Sequence, residues 1–220
     1  MFLFWLFFVL LSLPILICVP VKIYGKKNYN KKKNYIIVSN HQSNFDPIIL
    51  NFYLGKRIRF IAKKELFGKK GKSYFFDNIL GCIPVDRSKG LSISETKKVY
   101  SILKDNQCLG LFPEGTRVSE ESSDNMAAKN GACLFSIKTK TPILPCCIYK
   151  KQKLFKRNVF LIGKPFELSD FYDKKLDKET LNEASVILIN EITNLRKEYE
   201  NYLKEKELVK KIKKQKNKNI

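Results

Sequence analysis

Six short apolar runs alternate with segments of helical pattern through most of this chain, and that alternation limits the folds open to it. Each run is four to seven residues long and rich in β-branched or aromatic side chains. The runs cover residues 35–39, 58–62, 82–85, 108–112, 143–149 and 159–162. Strands that alternate with helices favour an α/β fold with a mostly parallel central sheet flanked by helices.

The helical segments have recognisable starts. Residues 47–54 predict a helix with Asp46 at its N-cap and proline at the first position. Ser92 and Glu95 have the spacing of a capping box and open a helix that runs to about residue 104. Residues 127–139 predict a third helix. Apolar residues at spacings of three and four predict a long amphipathic helix over residues 178–203.

The first 21 residues contain no charged side chain, which predicts a membrane anchor. As a helix rising about 1.5 Å per residue they would extend roughly 31 Å, close to the thickness of a hydrocarbon core. Pro14 and Pro20 interrupt such a helix, so a monotopic anchor that dips into the bilayer is the alternative to a span. The lysines that follow favour the cytoplasmic face of the cell membrane for the rest of the chain.

The formal net charge of +21 is unevenly distributed. Residues 22–33 hold six lysines and no acid, and residues 204–220 hold eight lysines and two acids. We therefore divide the chain into an anchor (1–21), a basic linker (22–33), a folded domain (34–203) and a basic tail (204–220). Leu208, Val209 and Ile212 in the tail either lie on an anionic membrane surface or belong to a solvated end. Nucleic acid is not predicted as a partner, because no recognition motif is present.

The six cysteines form no C-x-x-C pair, and most lie within apolar runs. We expect them to be buried, reduced thiols rather than a disulfide framework. With only one histidine in the chain and no clustered thiols, a metal site is not predicted.

That histidine, His41, follows the first strand of the domain, and Asp46 comes five residues later. Loops at the carboxyl ends of strands are where α/β sheets usually bind ligands. Asp46 can reach back to one imidazole nitrogen and leave the other free to take a proton from a hydroxyl group. The alternative is that Asp46 only caps the helix and His41 is an ordinary loop residue.

Two more polar clusters end strands of the predicted sheet. Residues 112–117 (F-P-E-G-T-R) place a carboxylate, a glycine and a guanidinium in succession, and residues 81–87 end in an Asp-Arg pair. Glycine permits close backbone approach to a ligand, and arginine forks onto phosphate or carboxylate oxygens. The alternative interpretation is a surface turn with a salt bridge.

Together these segments resemble the glycerolipid acyltransferase family over residues 35–149. The shared blocks are H-x4-D from His41 to Asp46, G-x-I-P-V-D-R at 81–87, F-P-E-G-T-R at 112–117, and a block centred on Pro145. The resemblance implies a membrane-bound enzyme that moves a fatty acyl group from acyl-CoA or acyl carrier protein to the sn-2 hydroxyl of 1-acylglycerol-3-phosphate, giving phosphatidic acid. It implies no cofactor beyond that acyl donor, and no metal.

The resemblance also implies a role for each matching residue. His41 would be the base that deprotonates the acceptor hydroxyl, and Asp46 would orient it. Lys63 matches a basic position that would face the phosphate or the oxyanion, and the adjacent Lys64 is the alternative for that position. The residues that would hold the glycerol phosphate are Arg87, Glu114, Gly115, Thr116 and Arg117.

The expected partners are a lysophospholipid acceptor, the acyl donor and an anionic membrane surface. Acylation of glycerol-3-phosphate or of another lysophospholipid remains an alternative within the family. A basic, membrane-tethered binding protein without enzymatic activity is the alternative outside it.

Overall fold

The computed structural model describes residues 2–43, 45–68, 73–74, 76–77, 80–86, 91–112 and 130–216. Its helices are α1 (Phe2–Cys18), α2 (Asp46–Leu54), α3 (Ile93–Lys104), α4 (Asn130–Thr139) and α5 (Lys178–Lys216). Its strands are β1 (Val21–Tyr24), β2 (Ile36–Ser39), β3 (Ile58–Lys63), β4 (Ile83–Val85), β5 (Cys108–Leu111), β6 (Ile143–Ile148) and β7 (Asn158–Ile162). Short 3-10 turns occupy Lys26–Asn28, Lys64–Phe67 and Ser169–Phe171.

Within the described residues the strands form one seven-stranded sheet in the order β1-β7-β6-β2-β5-β3-β4. All neighbouring strands are parallel except β6 and β7, which are antiparallel. Strand β2 lies in the middle, with Ile37 opposite Gly110 of β5 on one side and Leu144 of β6 on the other. The predicted α/β fold with a mostly parallel sheet is confirmed.

Helices cover both faces of the sheet, so its strands are buried on both sides. Alternate residues of β2 show this: Ile36 and Val38 pack into one apolar cluster, and Ile37 packs into the other. The first cluster lies beneath α3, α4 and α5, and the second lies beneath α1 and α2. A strand that is buried on both faces has a nearly continuous apolar sequence, which is why these strands could be predicted from the sequence.

The predicted helix starts agree with the structure at α3 and α5 and differ at α2. At α3, the Ser92 hydroxyl accepts the Glu95 N–H and the Glu95 carboxylate accepts the Ser92 N–H, so the capping box is confirmed. Asp46, by contrast, is not the N-cap of α2. It is the first helical residue, and its carboxylate accepts bonds from the loop before it.

Two segments outside the predicted domain belong to regular elements. Residues 22–33 were assigned to a linker, whereas Val21–Tyr24 pair with β7 at the edge of the sheet. The strand was hidden because exposed Lys22 breaks its apolar pattern, although Val21 and Ile23 pack on the core. Helix α5 extends beyond residue 203 to Lys216, so the described part of the basic tail is helical.

The predicted anchor forms helix α1, which packs against α2. A membrane-spanning segment over residues 1–21 is not supported, because no helix in the described part of the chain is both long and apolar enough to cross a bilayer.

Candidate active site

The candidate site lies at the carboxyl edge of the sheet, which is formed by the carboxyl ends of its parallel strands. The strands concerned are β2, β5 and β3. Strand β2 leads directly into Asn40 and His41, and β5 leads into Phe112. Because neighbouring parallel strands point the same way, their carboxyl ends bring residues from distant parts of the sequence together.

His41 and Asp46 are in direct contact. The Nδ1 atom of His41 lies 2.8 Å from the Oδ2 atom of Asp46. The Asp46 side chain is completely buried, and 16% of the His41 side chain is exposed. The two residues lie on opposite sides of the turn between β2 and α2, so the short H-x4-D spacing is what lets the carboxylate reach the imidazole.

Asp46 is held by more than His41. Its Oδ2 atom also accepts the backbone N–H groups of Gln42 at 2.7 Å and Ser43 at 2.8 Å, and its Oδ1 atom accepts a bond from Gln152 Nε2 at 2.6 Å. Four donors therefore surround this buried carboxylate, which is what a buried charge requires. Because an ionised carboxylate acts only as an acceptor, Nδ1 of His41 is the nitrogen that donates to it, and in the neutral ring this tautomer leaves Nε2 as the acceptor.

Asn40 fixes the backbone that carries His41. Its side-chain amide donates to the carbonyl of Ile148 at 2.9 Å, and its side-chain oxygen accepts the Ile148 N–H at 2.7 Å. These two hydrogen bonds join the end of β2 to the end of β6, just beyond the last residues that pair between the two strands. Asn40 is 2% exposed, so both bonds are shielded from water.

An aromatic stack supports the imidazole from the neighbouring strands. The rings of His41 and Phe112 stack with centroids 4.2 Å apart and planes 22° apart. Phe112 in turn stacks on Phe60 of β3, with centroids 5.4 Å apart and planes 9° apart. The stack limits rotation of the imidazole, and the bond to Asp46 fixes which ring nitrogen faces the carboxylate.

This arrangement is suited to general base chemistry. In the described part of the chain no residue bonds to Nε2 of His41, and the side chain is partly exposed, so no described residue competes with an incoming hydroxyl group for Nε2. If the ring takes a proton, the adjacent Asp46 carboxylate stabilises the resulting imidazolium. Among the described residues, no group of three or more His, Cys, Asp or Glu side chains is placed to hold a metal ion.

The predicted substrate-binding residues are only partly described. Lys63 is exposed at the carboxyl end of β3, on the edge of the sheet where His41 lies. Arg87, Glu114, Gly115, Thr116 and Arg117 lie outside the described residues. In the sequence, Arg87 follows β4 by two positions, and Glu114 follows Phe112 by two.

Sequence reasoning did not assign roles to three residues that contact the pair or its loop: Asn40, Phe112 and Gln152. Phe112 begins a motif that the sequence did single out, and Asn40 directly precedes His41, so position next to a strand end was an available signal. Gln152 lies in a lysine-rich loop after β6, 106 residues from Asp46, and no local pattern marks it.

The cysteines are not part of this site. All six are free thiols, five of them buried and Cys18 partly buried, in agreement with the prediction of reduced thiols. Burial raises the pKa of the Cys82 thiol to about 12, and it also raises the pKa values of Cys108, Cys133 and Cys146. Such thiols are poor nucleophiles at neutral pH.

A mostly parallel α/β sheet with a His–Asp pair at its carboxyl edge is an arrangement suited to an enzyme that activates a hydroxyl group. Comparison with known proteins identifies the family. The family model described as "Acyltransferase" matches residues 20–149, more than half of the chain. The chain therefore belongs to the acyltransferase family.

Relatives of known name agree with this assignment. The 1-acyl-sn-glycerol-3-phosphate acyltransferase of Bacillus subtilis (strain 168) is 32% identical over 157 residues, which cover 69% of this chain and 76% of the relative. The enzyme of the same name from Borreliella burgdorferi is 29% identical over 145 residues, which cover 64% of this chain and 56% of that protein. The chain thus spans between about half and three quarters of these two relatives.

A solved structure has the same fold. The crystal structure of the 1-acyl-sn-glycerophosphate (LPA) acyltransferase from Thermotoga maritima superimposes with a TM-score of 0.58, covering 80% of this chain and 72% of that one. The sequence identity is 23%, so this likeness concerns the fold alone.

Proposed function

We propose that this protein transfers a fatty acyl group to the sn-2 hydroxyl of 1-acylglycerol-3-phosphate and so makes phosphatidic acid. The observation that carries the proposal is the contact of 2.8 Å between His41 Nδ1 and Asp46 Oδ2 at the carboxyl edge of the sheet. Relatives named for this reaction match over much of the chain. The acyl donor is a thioester, either acyl-CoA or acyl carrier protein.

The proposed reaction proceeds by direct attack. Nε2 of His41 takes the proton of the acceptor hydroxyl as the oxygen attacks the thioester carbonyl, and Asp46 stabilises the imidazolium. The C–S bond then breaks, and the leaving thiolate receives the proton from His41. No acyl-enzyme is needed, and no metal or cofactor other than the donor is proposed, because a thioester is already activated for acyl transfer.

The acceptor phosphate is proposed to bind along the same edge of the sheet. Lys63 is exposed at the end of β3, where a cation can meet a phosphate or the developing oxyanion. Arg87 and residues 114–117 are proposed to complete the phosphate site, since the guanidinium groups of Arg87 and Arg117 suit phosphate oxygens.

A membrane-surface location suits an amphiphilic acceptor, and α1 supports it. The side chains of Leu6, Leu10, Leu13 and Ile17 are spaced on one face of the helix and are 45–71% exposed, while Phe8 and Ser12 on the opposite side are buried. We propose that this apolar face lies in the bilayer interface as a monotopic anchor on the cytoplasmic side. The many lysines of the chain would attract anionic lipid.

The experiment that tests the function uses purified protein in vesicles of phosphatidylcholine and phosphatidylglycerol. Lysophosphatidic acid, glycerol-3-phosphate and neutral lysophospholipids are each combined with acyl-CoA or acyl carrier protein thioesters, and products are identified by mass spectrometry. We expect phosphatidic acid from lysophosphatidic acid. A preference for glycerol-3-phosphate or a neutral lysolipid would replace the proposed acceptor, and vesicle binding without any transfer would favour the non-enzymatic alternative.

The matched variant is His41→Asn. Its side-chain amide can still donate to Asp46 but has no nitrogen in place of Nε2 that can accept a proton. We expect transfer to fall about 10²- to 10⁴-fold while the thermal transition stays near that of the wild type. Undiminished transfer by this variant would show that His41 is not the base.

A further inference from the structure

Gln152 contacts the carboxylate oxygen of Asp46 that faces away from His41. The Oδ2 atom of Asp46 accepts bonds from His41, Gln42 and Ser43. Among the described residues, Oδ1 accepts a bond only from Gln152 Nε2, at 2.6 Å. Gln152 lies in the loop after β6, three positions beyond the segment that matches the acyltransferase family. Neither the family match nor the sequence motifs assign it a role.

The orientation of the Gln152 amide follows from its partner. Asp46 offers only acceptors, so the NH₂ group of Gln152 must face it and the carbonyl must point away. That carbonyl oxygen, Oε1, is buried and makes no hydrogen bond within the described residues. An unpaired buried acceptor is unfavourable, so the bond from the Gln152 NH₂ group to Asp46 forms although the other half of the amide is unsatisfied.

The neutral charge of Gln152 is also informative. Lys150, Lys151 and Lys153 flank it in the sequence, yet the side chain that meets the buried carboxylate is the uncharged one. Neither His41 nor Asp46 forms an ion pair with any other charged side chain in the described part of the chain. A lysine at this position would pair with Asp46 and weaken its attraction for an imidazolium, whereas an amide leaves the negative charge available.

We propose that Gln152 is a positioning residue for acyl transfer. Its amide fixes the second oxygen of Asp46, so the carboxylate plane cannot rotate and Oδ2 stays directed at Nδ1 of His41. The residue acts through Asp46 and does not touch the substrate. This inference rests on the proposed function, since it assumes that His41 is the base.

The test compares three substitutions at this position. Gln152→Met keeps the length of the side chain and removes the donor, and we expect kcat to fall about tenfold with little change in the KM for the acceptor. Gln152→Glu adds a negative charge beside Asp46, which favours the protonated imidazole and should move the acidic limb of kcat/KM to higher pH by about one unit. Gln152→Lys should move it by a similar amount to lower pH, with a reduced kcat.

The control for charge is Lys153→Gln. It changes the net charge by the same amount as Gln152→Glu, on the adjacent exposed residue, and should leave the pH profile in place. Equal shifts in these two variants would overturn the proposal, because the effect would then be one of net charge. A wild-type profile and kcat in Gln152→Met would overturn it as well.

A second readout separates this inference from the proposed function. His41 is the one histidine of the chain, so its imidazole nitrogens give a single pair of ¹⁵N signals in labelled protein. We expect one tautomer, protonated at Nδ1, in the wild type and a mixture of tautomers in Gln152→Met. Failure of the wild type to transfer acyl groups would reject the proposed function, whereas an unchanged tautomer in Gln152→Met would reject the role of Gln152.

Discussion

The imidazole of His41 lies nearly parallel to the ring of Phe112, with centroids 4.2 Å apart. Phe60 of β3 stacks on Phe112 in turn, so β3 is connected to the imidazole through two ring contacts. The position of the proposed base therefore depends on packing between strands as well as on its bond to Asp46.

Gly110 of β5 lies next to Phe60, so a substitution there tests the importance of the stack. A Cβ atom added at Gly110 of β5 would overlap the ring of Phe60 and approach Cγ2 of Ile58 at 2.8 Å. We expect Gly110→Ala to displace Phe60, disturb Phe112 and lower kcat, with a loss of about 1–3 kcal/mol in the free energy of unfolding. Activity assays and chemical denaturation measure the two effects.

Gly131→Ala is the matched control, because nothing lies within 4 Å of a Cβ at that position in α4. It should leave activity unchanged and raise stability by roughly 0.5–1 kcal/mol. Full activity in Gly110→Ala despite reduced stability would show that the stack does not position His41.

Replacing Asp46 by asparagine should affect chemistry and stability together. The amide cannot accept bonds on both sides, so its NH₂ group must face either the backbone donors of Gln42 and Ser43 or the Gln152 amide. We expect kcat to fall roughly 10³- to 10⁴-fold and the free energy of unfolding to fall by about 1–3 kcal/mol. Steady-state kinetics and urea denaturation test this.

Asp77→Asn provides the comparison for that substitution. Asp77 is half-exposed and pairs with Lys98 at 3.2 Å, so its loss should cost less than about 1 kcal/mol and leave kcat intact. Similar losses of stability in the two variants would contradict the importance assigned to the buried donors of Asp46.

The buried thiols predict a loss of stability at alkaline pH. In the unfolded chain Cys82 ionises near its ordinary value of 9.0, whereas in the folded protein burial raises its pKa to about 12. Above pH 9 the unfolded state therefore releases a proton that the folded state retains, and stability falls until about pH 12. The slope from one such thiol is at most about 1.4 kcal/mol per pH unit.

Cys82→Ala should reduce this slope between pH 9 and 11 in urea denaturation series, although cavity formation lowers its stability at every pH. An unchanged slope in this variant would mean that Cys82 does not contribute to the alkaline transition.

The exposed apolar face of α1 predicts that this helix contributes to membrane binding. Leu10 is 60% exposed on that face, so Leu10→Lys should leave folding intact. Binding to anionic vesicles should weaken about tenfold or more, because the leucine side chain no longer enters the bilayer interface. Vesicle sedimentation measures the binding. Val186→Lys, at a position of α5 with 55% exposure, adds the same charge elsewhere and should bind at least as well as the wild type. Equal weakening in both variants would contradict docking through α1.

The strands and the H-x4-D pair were predictable because their signals are local. Strand β2 is a buried run whose apolar character depends only on its own residues, and Ser92 and Glu95 interact across three positions. Strand β1 was missed because four residues that include an exposed lysine carry too little pattern, and only pairing with β7 shows that they belong to the sheet. The contact of His41 with Asp46 spans a single turn, so its spacing could be read directly.

The sequence by itself determined the class of fold, the starts of α3 and α5 and the two residues of the candidate catalytic pair. Tertiary structure alone decided which side chains surround that pair. Gln152 and Phe112 reach it from other strand ends, and Asn40 bonds to Ile148 across 108 positions. The reason is physical: periodicity and capping act within a few residues, whereas neighbours at the sheet edge are set by strand order and register, which bring together segments that share no local pattern.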